Sequence, residues 1–266
     1  TGPIFERGGS FELELDVHDL RIELRDSEGA VEGFPVGGAT IAEVYRQTMG
    51  LLASTGHETE ILARPYDCPH SDIPFAEDET HGSWDHDAIR RWWQSMTFTE
   101  EVFHTFAGRS FMRTSPVQLY WHSFDLAVTR FTGRRSPSFG EGGRRSDVEA
   151  YSHEVISFGY WPGDPEVRFP AYYSYTAPEP EGLSARPLRP EAAWWQELPS
   201  SHMALLKYDD VRDSDDPREA LLDFMQSAFD AGTDALGLAG AEELGTEDLW
   251  AELDERFPAT RGRERQ

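Results

Sequence analysis

Lysine is almost missing from this chain. Of its 24 basic residues only Lys207 is a lysine and the rest are arginines, against 49 acidic residues and a net charge of −25. So negative a surface repels polyanions and argues against nucleic acid as a partner. It also repels itself, a penalty that concentrated salt screens. The composition therefore predicts a salt-adapted, halophilic protein. Cysteine is reduced to Cys68, which excludes an internal disulfide and fits a reducing, cytoplasmic milieu. No apolar run approaches the length of a membrane span, so a soluble chain with no membrane partner is expected. The nucleophile and nucleotide signatures GxSxG, Walker A, HExxH and GxGxxG are absent, as are CxxC and EF-hand spacings. This lowers hydrolase and nucleotide-binding readings and names no cofactor.

What is present is a set of strand-like runs rich in aromatics. In residues 115–131, SPVQLYWHSFDLAVTRF, the apolar positions are odd up to Trp121 (Val117, Leu119, Trp121) and even from Phe124 (Phe124, Leu126, Val128). Side chains alternate faces along a strand, so this change of phase near Ser123 requires a bulge or a tight turn. With it, Gln118, Tyr120 and His122 share a polar face with Asp125 and Thr129. In residues 151–163, YSHEVISFGYWPG, alternation places Tyr151, His153, Val155 and Ser157 on one face and Glu154, Ile156, Phe158 and Tyr160 on the other. Residues 11–15 and 17–24 show a second change of phase. Thr40 and Glu43 form a capping box opening a helix over 40–52, and 60–64 reads as a short strand. Asp85 caps a long helix to Ala107 whose aromatic stripe faces a core, and Asp216-Pro217 opens another. Residues 171–176 and 205–208 read as strands, the second at an edge, with a proline-rich surface crossing, 178–199, between them. A shorter helix is expected over 246–256.

Candidate site residues follow from these runs. His122 with Asp125 makes an oriented imidazole able to act as base or ligand, and His153 or Glu154 can join it. A two-His-one-carboxylate metal site from His122, His153 and Asp125 is one option, although no metal is implied by spacing. The loop 68–87 carries Cys68, His70, Asp72, Glu77, Asp78, His81, Asp85 and His86 without ligand spacing; His81, just ahead of a helix start, is the member to test. Charge reverses over 109–145, where seven arginines stand against Asp125 and Glu141, a local +5. A small anionic ligand near Arg130 and Arg134 is expected there, Arg130 holding it with Tyr120, Tyr160 and Trp161 as walls.

The phrases SPVQLYWHSFDLAVTRFTGRR, AYSHEVISFGYWPG, YSYTAPEPEG and IPFAEDETHGSWD resemble a family of bacterial and archaeal proteins, domain of unknown function 5996, over roughly Pro3 to Gly232. The resemblance implies that a helix and a strand normally precede Thr1, and it brings no activity. The expected architecture is a single α+β domain over residues 1–257, a mainly antiparallel twisted sheet with helices largely on one face, and a disordered tail at 258–266. Two functions stay open: a small-molecule binding or enzymatic pocket on the polar face of the central strands, or a non-enzymatic accessory protein whose histidines and aromatics are structural.

Overall fold

The computed structural model describes residues 1–6, 8–57, 59–65, 72–121, 123–137, 145–165 and 167–238. His122, Cys68, His70, much of the arginine-rich loop, the helix expected over 246–256 and the tail at 258–266 lie outside the described residues. The fold is α+β: among the described residues it has two antiparallel sheets and five helices. The chain forms two compact units, Thr1–Ser95 and Met96–Gln266.

In the first unit, strands β1 (Ile4–Glu6), β2 (Gly9–Asp16), β3 (Arg21–Asp26) and β4 (Val31–Pro35) form a meander in sequence order. Helix α1 (Ile41–Ser54) contributes Leu51 and Leu52 to a core with Phe11, Leu24, Phe34 and Val36. Its capping box is as expected: Glu43 N donates to Thr40 Oγ1 at 3.2 Å, and Thr40 N to Glu43 Oε2 at 2.8 Å. The strand expected over 60–64 is not formed. Ile61 and Leu62 are exposed there, and without a ladder partner to pack against, β propensity alone does not hold a strand.

Helix α2 (His86–Gly108) follows, with Asp85 Oδ1 accepting from Ala88 N at 2.9 Å. In the second unit come β5 (Arg113–Thr114), β6 (Gln118–Tyr120), β7 (Asp125–Arg135), α3 (Arg145–Ala150), β8 (His153–Trp161), β9 (Ala171–Ala177), β10 (Trp194–Glu197), β11 (His202–Lys207), α4 (Tyr208–Arg212) and α5 (Pro217–Ala235). The sheet order is β10-β11-β9-β8-β7-β5, with β6 also on β7. β11 is thus internal and β10 takes the edge, because the second tryptophan pair of the chain, Trp194-Trp195, supplies a further strand opposite Leu205 and Ala204.

Both changes of phase are hairpins. Asp16 pairs with Arg21 and Tyr120 with Asp125, so each turn holds four residues and joins an even position to an odd one. Paired residues share a face, and the apolar set must therefore switch parity across the turn. In each case the last loop residue is a non-glycine in the left-handed region, Leu20 at φ 48° and Phe124 at φ 58°. The β7–β8–β9 ladder then sorts side chains into two faces. Leu126, Val128 and Arg130 of β7 stand with Tyr160, Phe158 and Ile156 of β8 under α5 and the C-terminal part of α2, where Phe106 packs edge-on against Phe158 at 4.8 Å and Phe229 lies nearby. The proline-rich segment is no free crossing: Arg189 N donates to Ser227 Oγ of α5 at 2.9 Å, and Trp195 Nε1 to Arg186 O at 2.9 Å.

Candidate functional site

The opposite, uncovered-by-α5 face of the same three strands is rich in hydroxyls. Asp125, the first residue of β7, is 7 % exposed. Ser123 Oγ donates to its Oδ1, and Tyr173 OH donates to its Oδ2 at 2.5 Å. Tyr173 reaches Asp125 from two strands away because the strand between them carries Gly159, over which the tyrosine ring lies flat. Trp161 meets Tyr173 edge-on at 5.5 Å, and Tyr175 stacks with it at 6.1 Å. Further along, Thr129 Oγ1 and Ser157 Oγ are 2.9 Å apart, and Tyr151 and Tyr175 share a hydroxyl bond of 3.2 Å. Burial first, then the Asp125 charge, pushes the Tyr173 hydroxyl well above the ordinary phenol range; burial and the neighbouring Tyr151 raise Tyr175. Both are therefore neutral donors near neutral pH, not phenolate nucleophiles.

The other expected residues are dispersed. Tyr120 is the ladder partner of Asp125 and stands with it, as does Trp161 at the same end of the sheet. Tyr160 turns to the helix-covered face, stacked on Tyr172 at 4.9 Å. Arg130 also lies on that face, between Phe106 and Phe229. His153 shares the hydroxyl face but pairs with Arg135 at the far end of the ladder, eight residues from Trp161, or about 26 Å at ~3.3 Å per residue. It therefore does not reach Asp125, and the metal arrangement that needs the two side by side is not formed. Among the described residues no cluster of three metal-ligating side chains occurs. Glu154 is engaged structurally, accepting from Arg134 Nε at 2.7 Å and Thr132 Oγ1 at 3.1 Å, while Arg134 Nη2 ties to Leu236 O at the end of α5.

His81 belongs to the first unit. Its Nδ1 lies 2.8 Å from Oδ2 of buried Asp78, which also accepts from His81 N, Thr80 N and Thr80 Oγ1. The backbone of this turn holds the start of α1: Ile41 N donates to His81 O and Ala42 N to Asp78 O, while Trp84 Nε1 donates to Ala39 O.

The model of the Family of unknown function (DUF5996) matches residues 1–242. The chain belongs to this family. No curated protein and no solved structure matches it. In this DUF5996 member the phrase IPFAEDETHGSWD is a docking turn, and its Asp78 makes a pH prediction. Burial opposes the Asp78 charge, but the bonds from His81 and Thr80 outweigh it and hold the carboxyl down to about 2, from an ordinary 3.8. A depressed carboxylate adds stability above its unfolded value and loses it as pH falls through the folded one. Acid titration between pH 4 and pH 2 is therefore expected to destabilise the wild type more steeply than Asp78→Asn, read by circular dichroism.

Sequence reasoning missed Tyr173, Tyr175 and Ser123 as members of the polar face. One signal was available: a glycine inside a strand, Gly159, marks a place where another group approaches closely, and the odd-numbered tyrosines of AYYSYT fall in phase with it.

Proposed function

We propose that this protein binds a small polar ligand on the hydroxyl face of the central strands, with Asp125 as its anchor. The observation that carries this reading is a carboxylate, 7 % exposed, whose partners among the described residues are two hydroxyls and no cation. Burying a charge without a counter-charge is unfavourable, and a structural acceptor could as well be an amide. An ionised carboxylate also has about four acceptor positions, two of which are used here. A ligand offering O–H or N–H donors, a polyol or a protonated amine, complements it, with Trp161 and Tyr120 as apolar walls. Binding rather than nucleophilic catalysis is supported by Tyr173 and Tyr175 being held protonated.

The check is thermal stabilisation by a panel of small polyols, sugars and amines, on wild type and Asp125→Asn. One chemical class should stabilise the wild type and bind the variant 10-fold or more weakly. An unchanged response in the variant, or none in the wild type, would sink the reading.

A second reading, an accessory protein that meets a partner, is favoured by the hairpin tip beside Asp125, where Trp121 is 57 % exposed and Phe124 and Tyr120 are exposed with it. Histidines tied to neighbours fit it too: His57 Nδ1 lies 3.0 Å from Glu6 and His202 Nδ1 2.7 Å from Glu179. Among the described residues no helix is long and apolar enough to cross a membrane. The charge of −25 and the single cysteine support a cytoplasmic protein of a salt-adapted cell. Its melting temperature is expected to rise from low to molar salt.

A further inference from the structure

Arg130 stands in the middle of β7 and is 1 % exposed. The Phe106 ring centroid lies 3.6 Å from its guanidinium carbon and that of Phe229 4.4 Å. Nη2 donates to Phe106 O at 2.6 Å. Nε and Nη1 are just as enclosed, and neither meets an acceptor among the described residues. The charge of Asp230, one residue beyond Phe229, acts on Arg130 through space. Its carboxylate accepts from Gln226 Nε2 at 2.8 Å and faces Arg189 at 3.9 Å, and no contact within 4.0 Å joins it to Arg130.

Aromatic faces recover part of the loss of hydration of a guanidinium, but they accept no hydrogen bond in the ring plane. A buried cation with two unmet donors is an unstable arrangement unless something supplies both acceptor and charge. Desolvation, opposed in part by the charge of Asp230, lowers the Arg130 pKa to about 9, which leaves it charged at neutral pH with Nε and Nη1 unmet. We infer that Arg130 forms a buried binding site for a small inorganic anion, a halide or a compact oxyanion, between β7 and the helices α2 and α5. The site is separate from the one proposed at Asp125, because Arg130 points to the other face of the sheet.

The test replaces sodium gluconate by sodium chloride at constant ionic strength, which keeps screening fixed. The wild-type melting temperature is expected to rise saturably, on the order of 3 °C, and Arg130→Met, which keeps the apolar stem, to show no rise. A rise with phosphate but not chloride, again lost in Arg130→Met, assigns an oxyanion. If Arg130→Met does not fold, crystals of the wild type grown in sodium bromide decide: an anomalous peak at hydrogen-bond distance from Nε or Nη1 is expected. Equal anion responses in both proteins, no response in the wild type, or a water or the Asp230 carboxylate at those donors in the bromide crystals would each overturn the assignment.

Discussion

Gly159→Leu is expected to cost about 3 kcal/mol of stability, near the upper end for forcing extra side-chain volume into a packed site. Any Cβ at this position falls within the Tyr173 ring, so the ring must leave the sheet surface. Its hydroxyl then loses Asp125, and that carboxylate is left with Ser123 among the described residues. Denaturant unfolding measures the first effect. The second shows as loss of whatever ligand response the wild type has. Combining Gly159→Leu with Tyr173→Ser removes the colliding ring, and the two substitutions should couple: the double variant is expected to be more stable than the sum of the singles. A loss below about 1 kcal/mol for Gly159→Leu would mean that the ring has another place to go.

Phe106→Ala is expected to be costlier, about 4 kcal/mol, since a fully buried phenylalanine is removed and a cavity left behind. Phe106 packs on Phe158, lies within reach of Phe229, covers one face of the Arg130 guanidinium and offers it its carbonyl. The size of the loss should depend on Arg130. In an Arg130→Met background the same truncation is expected to cost less, because no buried cation loses its aromatic cover. Equal losses in the two backgrounds would show that the ring serves packing alone.

How much of this was legible beforehand depends on the range of the signal. Local chemistry was readable: the Thr40–Glu43 box, the Asp85 and Asp216 caps and the two parity changes all act over four or five residues, and each is present. The α+β class followed from the same patterns. Ladder register was not readable, and it decides which residues meet. His153 and Asp125 share a face by parity, yet the antiparallel β7–β8 pairing sends them to opposite ends. Arg130 was expected to hold an anion in a pocket on the polar face, because an arginine in a strand gives no sign of which face helices will cover. Only the arrival of α2 and α5, from either side of it in sequence, encloses that guanidinium. The strand expected over 60–64 failed for a related reason: a β-strand exists only through its neighbours, and no pattern within five residues reports whether one is there.

The two four-residue hairpins that end on a left-handed residue form an internal control. Holding a non-glycine residue in the left-handed region is unfavourable by roughly 1–2 kcal/mol, and among the described residues this is accepted twice, at Leu20 and at Phe124. Beside Phe124 stands the buried carboxylate Asp125. Leu20 leads into Arg21 and a meander packed on an apolar core. The same strained turn therefore serves plain architecture in one sheet and the rim of the candidate site in the other. Strain at Phe124 is no signature of chemistry by itself, and variants at Leu20 give the baseline against which any effect of Phe124 on ligand binding is to be judged.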